Sequence, residues 1–265
     1  MAKNNSKQNI SKEAPLFDQH FMTDKTLLKK IASYCEDSTI TEIGVGKGAL
    51  TKELLKKANV TGIEIDSKLT TYLEEKFHGQ IANGTFVLKK GSVLDMKLSG
   101  TIFSNLPYGI SETFFYQFIR SKSTKAYLVT GSSFYKKLLS NTKLGIFTKE
   151  LCDIRHICNI PPTAFTPSPK VSSTFFLLTV KEEIGFIGEI LKQTDKKIQN
   201  AILTAITKKG KTKNQAKTFL ETHLLKEEDE TARTLSLVLS KGILSLSNTE
   251  FLRVYSFLKK IDESL

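Results

Sequence analysis

The run Thr39-Ile40-Thr41-Glu42-Ile43 passes without a break into Gly44-Val45-Gly46-Lys47-Gly48 and then into helix-forming residues from Ala49 to Lys57, an order that few folds can accommodate. A β-prone apolar stretch that crosses alternate glycines straight into a helix is the first strand, loop and helix of an open α/β sheet. Glycines there let the backbone approach a ligand closely, and the helix N-terminus favours a carboxylate or phosphate. The spacing is G-x-G-x-G, not the G-x-G-x-x-G of dinucleotide binders, and Glu42 stands just ahead of it, which suits S-adenosylmethionine better than NAD. The next strand, Val60 to Asp66, ends in two acids about twenty residues past the first glycine, where a carboxylate can accept from both ribose hydroxyls of an adenosine-containing ligand. Glu64 is assigned that part and Asp66 the cap of a helix from Lys68 to Phe77. Asn83-Gly84 marks a turn into a third strand, Thr85 to Lys89, whose end at Gly91-Ser92-Val93-Leu94-Asp95 should approach the ligand's adenine.

A second stretch, Ser104-Asn105-Leu106-Pro107-Tyr108-Gly109-Ile110-Ser111, follows the short apolar run Thr101 to Phe103 and precedes a helical run from Glu112 to Arg120, so it too sits at a strand's carboxyl end. It offers an amide oxygen from Asn105, the backbone carbonyl of Leu106 held in direction by Pro107, and the aromatic face of Tyr108. Two acceptors that draw the hydrogens of an exocyclic adenine amine out of plane would localise its lone pair, and a stacked ring would hold the base. The plainer alternative is a strand-to-helix turn stopped by Pro107 and capped by Ser111.

Ahead of the first strand, Phe17 to Asp24 alternates polar groups with aromatics before a helix from about Lys25 to Tyr34, with Thr23 or Asp24 as its cap. This segment could lie across a cleft as a lid or staple the helix start, and the staple is favoured. Further strands are expected from Lys125 to Thr130, Arg155 to Ile160 and Ser172 to Val180. Between the last two lies a Pro-rich loop, Pro161 to Val171, whose one large apolar side chain is Phe165. That ring is either presented for base stacking or tucked into the core. From Gly185 the periodicity becomes helical, and between Lys192 and Lys217 eight lysines face a single acid, Asp195. This tract carries more than half of the net charge of +12 and points to a polyanionic partner. Three cysteines at 35, 152 and 158 fit neither a zinc site nor a redox pair, so no metal is expected. No apolar run is long enough for a membrane span, and residues 1–13 lack the apolar core of a signal peptide, so a cytoplasmic location without membrane contact is expected.

Four motifs together resemble the ribosomal RNA adenine dimethyltransferases, the family of KsgA and the dimethyladenosine transferases, with the Erm macrolide-resistance methyltransferases as relatives. Gln19 to Asp24 looks like Q-N-F-L-x-D, Glu42 to Thr51 like E-I-G-P-G-x-G-A-L-T, Asn105 to Ser111 like N-L-P-Y-N-I-S, and Phe165 to Val171 like F-x-P-x-P-K-V. The resemblance implies an α/β fold: a Rossmann-like methyltransferase sheet over residues 17–182, a small helical RNA-contacting domain over residues 183–265, and a flexible basic arm over residues 1–16. It implies a monomer that uses S-adenosylmethionine to dimethylate the exocyclic amine of adenine in ribosomal RNA or a pre-ribosomal subunit, most simply the small subunit's. By position the donor would meet Gln19, His20, Met22, Glu42, Gly44, Glu64 and Asn105, with Gly46 shaping the loop. The target base would meet Asn105, Leu106, Pro107, Tyr108 and Phe165. Two departures stand out. Ser92 occupies the place of the family's adenine-gripping Asp, leaving Ser92 or Asp95 for that bond, and Thr130-Gly131-Ser132-Ser133 replaces a charged Q-K-E segment. An Erm-type large-subunit enzyme and a non-catalytic assembly factor on the same fold are the competing expectations.

Overall fold

The computed structural model describes residues 19–265, so the arm expected over residues 1–16 lies outside the described residues. Seven strands form the central sheet: β1 (Thr39–Ile43), β2 (Asn59–Glu64), β3 (Phe86–Lys90), β4 (Thr101–Asn105), β5 (Lys125–Gly131), β6 (Cys152–Ile160) and β7 (Ser173–Val180). Their spatial order is β3-β2-β1-β4-β5-β7-β6, with β1 to β5 parallel and β7 antiparallel to both its neighbours. Winding reverses between β1 and β4, so the connections leave in opposite directions there and open a crevice at the carboxyl ends.

Alternation along the strands separates two apolar layers. Ile43, Ile63, Ile102, Leu128 and Phe176 belong to one, and Ile40, Val60, Phe103, Val129 and Phe175 to the other. Both faces are covered by helices, as a parallel sheet requires. The first covering helix, Lys25–Ser33, is capped by Asp24, whose Oδ1 accepts from the amides of Thr26 and Leu27. The helix after the Gly-rich loop is shorter than its sequence pattern and spans Ala49–Leu54, because the chain then tightens into a turn with the Lys57 amide bonded to the Leu54 carbonyl at 2.9 Å. β6 begins at Cys152, ahead of Arg155, since the antiparallel ladder with β7 extends to Val180.

Past β7 come five helices, Phe186–Leu191, Ile198–Lys208, Lys213–Leu225, Asp229–Leu239 and Asn248–Asp262. Their apolar faces join the layer that holds Ile102 and Phe176, so one core runs from the sheet into the helices. Helix Lys143–Leu151 is the bridge. Its Phe147 stacks on Phe251 with ring centroids 5.7 Å apart, its Lys143 Nζ donates to the carbonyls of Leu244 and Leu246, and its Glu150 accepts from the Tyr255 hydroxyl. The division expected near residue 182 therefore falls where the sheet ends, inside a continuous core.

Candidate active site

The crevice between β1 and β4 continues into a cleft whose floor is the Gly-rich loop. Gly44, Gly46 and Gly48 all have positive φ, near 70°, 58° and 70°. At Gly48 a Cβ would come within 2.4 Å of the Phe77 ring, and at Gly46 it would meet the Phe21 ring at 3.1 Å, so both conformation and space demand glycine. Glu64, at the end of β2 and only 4% exposed, holds this loop in place. Its Oε2 accepts from the Gly46 amide at 2.8 Å, and its Oε1 accepts from the amides of Ile65 and Asp66, both at 2.9 Å. Three of the roughly four acceptor positions of a carboxylate are thus filled. One ribose hydroxyl can be taken without rearrangement, where the sequence led us to expect two. Asp66 caps the following helix through the amides of Lys68 and Leu69, as assigned.

The opposite wall is the turn after β4. The Asn105 Nδ2 donates to the His20 carbonyl at 2.9 Å, which commits the nitrogen end of the amide and leaves Oδ1 as an acceptor. The Leu106 amide donates to the Val129 carbonyl, anchoring the turn to β5. The Tyr108 hydroxyl pairs with Ser173 Oγ at 2.8 Å, and a Cβ built at Gly131 would stand 3.6 Å from the Tyr108 ring. Tyr108 is therefore held at both ends of its ring, its edge by β7 and its face by bare backbone. Ser111 lies inside the first helical turn and its hydroxyl donates to the Pro107 carbonyl, so it fastens the turn without serving as the N-cap.

Gln19, His20 and Phe21 cross the mouth of the cleft. The segment is a lid and not the helix staple favoured by its sequence, because Phe21 and Met22 pair as a short antiparallel ribbon with Thr166 and Phe165 of the Pro-rich loop. His20 Nδ1 donates to the Pro167 carbonyl at 2.8 Å, fixing its tautomer, and its ring lies 6.0 Å from that of Tyr108.

Of the residues singled out in the sequence, Gln19, His20, Gly44, Gly46, Glu64, Ser92, Asn105, Leu106, Pro107 and Tyr108 line this one cleft. Four do not. Phe165 is 3% exposed and packs in the core as the cross-strand partner of Met22, so its ring is an anchor and is not presented for stacking. Met22 and Glu42 border a smaller adjoining hollow beneath the loop. Asp95 is exposed on a short turn outside the cleft, whereas Ser92 lines it and accepts from the Leu94 amide. Phe21 and Ile65, which also form the wall, and Ser173 were not singled out by the sequence. Phe21 could have been found from its place between His20 and Met22, but Ser173 is one of many strand serines and nothing local marks it.

Burial pushes the Glu42 carboxyl up to about 8; Thr51 beside it acts in the opposite direction, and Glu64 adds a like-charge push. Burial likewise raises the Cys152 thiol to about 12, which makes it inert. Among the described residues no group of three or more His, Cys, Asp or Glu could hold a metal ion, and no helix is long and apolar enough to cross a membrane.

Residues 10–241 match the family model for ribosomal RNA adenine dimethylase. Among curated relatives, the probable ribosomal RNA small subunit methyltransferase A of Haloquadratum walsbyi is 32% identical over 211 residues, covering 71% of each chain. Among solved structures, a dimethyladenosine transferase from Plasmodium falciparum superposes with a TM-score of 0.60 at 21% identity, covering 91% of this chain and 98% of its own. The 23S rRNA methyltransferase ErmE gives 0.58 at 22% identity, covering 90% and 99%. These two likenesses establish a shared fold and do not separate one substrate from another. With a family match that spans both walls of the cleft, the chain belongs to the ribosomal RNA adenine dimethylase family.

Proposed function

We propose that the protein transfers methyl groups from S-adenosylmethionine to the exocyclic amine of an adenine in small-subunit ribosomal RNA, twice at each target. The observation that carries this reading is the Asn105 amide: with its nitrogen bound to the His20 carbonyl, its oxygen is an acceptor on the same cleft that Glu64 and the Gly-rich loop complete. Family membership and the name of the Haloquadratum walsbyi relative support the ribosomal substrate and the choice of subunit.

The residues fit such a donor. Glu64 offers an acceptor to a ribose hydroxyl, Ser92 a hydroxyl to a base edge, and Gly44 and Gly46 a surface with no side chain in the way. Bound S-adenosylmethionine would supply a methyl group on a positively charged sulfur. The protein's part is positioning. Asn105 Oδ1 and the Leu106 carbonyl accept from the two hydrogens of the target amine, drawing its lone pair out of conjugation with the purine, while the Tyr108 ring holds the base against them. No general base is required, because an amine that has gained a methyl group is acidic enough while attached to a purine to lose its proton to water. An adenine in a helix must first leave the stack. The exposed lysines at 192–217 then hold phosphates, and the protein works as a cytoplasmic monomer on RNA or a pre-ribosomal subunit.

Mass spectrometry of both ribosomal RNAs from cells with and without the protein tests this. Loss of dimethyladenosine from small-subunit RNA is expected. Loss from large-subunit RNA would move the assignment to the Erm-type reaction, and unchanged RNA in both would defeat the enzymatic reading.

A further inference from the structure

Glu42 is a buried acid for which positioning of the target base provides no use. It lies in the middle of β1 beside Ile40, facing the covering helices, and is 2% exposed. Its Oε2 has no hydrogen-bond partner at full bonding distance. The amide and hydroxyl of Thr51, at the start of the covering helix, are the groups that favour its ionised form, and burial outweighs them. The hollow it borders is bounded by Phe21, Gly44, Gly46 and Asn105, which also line the donor cleft, so the two spaces meet at the underside of the loop. Around it, helix Lys25–Ser33 contributes only Leu28 and Ile31, and helix Ala49–Leu54 contributes Ala49 and Leu50 besides the neighbouring Thr51. Glu64 of β2 is a like charge. Among the described residues Lys47 is the one cation on the hollow's wall, and its Nζ sits over the Phe21 ring, 4.7 Å from the centroid. An ionised carboxylate here would be buried without a countercharge, an arrangement that costs several kcal/mol, and a protonated one escapes that cost.

The direction of a bound donor follows from the cleft, granting the methyl-donor reading above. With the base toward Ser92 and the ribose at Glu64, the amino-acid tail must run the other way, to Gly44 and Asn105 above the hollow. We propose that Glu42 holds a proton while the cleft is empty and releases it to solvent when the donor's α-ammonium settles at Gly44 and Asn105, so that donor binding expels one proton. The Glu42 O–H bond breaks, the proton passes to buffer, and the carboxylate left behind neutralises the incoming cation. Glu42 thereby acts as a positioning residue for the tail and makes affinity depend on pH.

The test is calorimetry of S-adenosylhomocysteine, the demethylated product that keeps the ammonium, at pH 7 in two buffers of different ionisation enthalpy. With the carboxyl at about 8, roughly nine-tenths of molecules carry the proton at pH 7, so release of close to one proton per site is expected. Glu42→Gln should bind about tenfold more weakly and release none. 5′-Methylthioadenosine, which has the nucleoside without the amino-acid tail, should bind the unaltered protein and release none. Binding of S-adenosylhomocysteine with no buffer dependence overturns the coupling, as does equal release by 5′-methylthioadenosine or by Glu42→Gln. Failure of the unaltered protein to bind either nucleoside would instead bring down the donor reading on which the coupling rests.

Discussion

Glu42 and Glu64 stand on neighbouring strands at either side of one loop, both nearly removed from water, at 2% and 4% exposure. Glu64 accepts from three backbone amides, and Glu42 has one oxygen with no partner at all. Burial is the same for the two, and the supply of donors differs. Glu64 sits where β2 ends and the chain turns, exposing amides that no ladder uses, whereas Glu42 sits inside β1, paired on both sides by β2 and β4, with only Thr51 of the covering helix to offer it donors. The turn creates a site for a charged carboxylate. The strand interior, where burial outweighs the Thr51 donors, favours a neutral one.

The largest test of that contrast is removal of Glu64. Glu64→Ala strands the amides of Gly46, Ile65 and Asp66, and losing three charge-assisted bonds, partly replaced by water in the open cleft, should cost on the order of 4 kcal/mol. Urea unfolding reads the stability, and titration with S-adenosylhomocysteine should show affinity reduced at least a hundredfold. A variant that keeps its midpoint would mean the three bonds form only in the absence of competing water, and the contrast with Glu42 would collapse.

Next in size is the pH dependence that Glu42 imposes. Its folded-state value, about 8 against an ordinary 4.5, means the folded protein binds one more proton than the unfolded chain between those limits. Stability from this group is therefore complete below about pH 4.5 and is lost as pH rises through 8. Relative to Glu42→Gln, which carries no ionisable group there, the unaltered protein without ligand should lose on the order of 3 to 4 kcal/mol between pH 4.5 and pH 8. The two stability curves should nearly coincide at acid pH and separate at alkaline pH. Parallel curves would show that Glu42 is ionised and paired in solution.

How much of this could be read from the sequence depends on how far apart the partners lie along the chain. The Gly-rich loop, the Asp66 cap and a helix cap at Thr23 or Asp24, which the structure resolves to Asp24, all involve residues close along the chain, and each was legible. The burial of Phe165 was not, because it is fixed by pairing with Met22, distant along the chain, in a two-stranded ribbon outside the central sheet. The lid across the cleft comes from that same pairing, and the Tyr108 to Ser173 bond likewise joins distant segments. Glu42 was legible as part of a motif but not as a buried acid with one unpartnered oxygen and no countercharge, since periodicity gives a residue's face and says nothing of what stands opposite it.

A smaller effect is expected at Thr51, which is fully buried beside Glu42 and whose hydroxyl has no partner at full bonding distance. If the hollow is dry, Thr51→Val exchanges an unsatisfied hydroxyl for a methyl group of similar shape, and at pH 5 the protein should melt within about 1 kcal/mol of its parent, on the stable side. Because Thr51 favours the ionised form of Glu42, the pH at which stability is lost should also rise. Destabilisation beyond that margin would place a bound water between Thr51 and Glu42.

The smallest effect carries the same distinction, between charges already engaged and charges with nothing to meet, onto the surface. In the lysine tract, Lys208 Nζ lies 2.5 Å from Glu189, and Lys211 Nζ lies over the Phe219 ring at 5.0 Å from its centroid. Lys209 and Lys213, exposed at the end of one helix and the start of the next, pair with no acid among the described residues. A phosphate binds the second pair without first displacing a partner, and each such contact steepens the fall of log affinity with log salt by roughly 0.7 to 0.9. Changing Lys209 and Lys213 to Gln should flatten the slope of RNA binding by about 1.4 to 1.8, whereas changing Lys208 and Lys211 should flatten it by less than about 1. Affinity measured at four or more salt concentrations separates the pairs. Equal losses would show that surface partners do not hold their lysines back from RNA, and an unchanged slope in both variants would take the tract out of the RNA-binding surface.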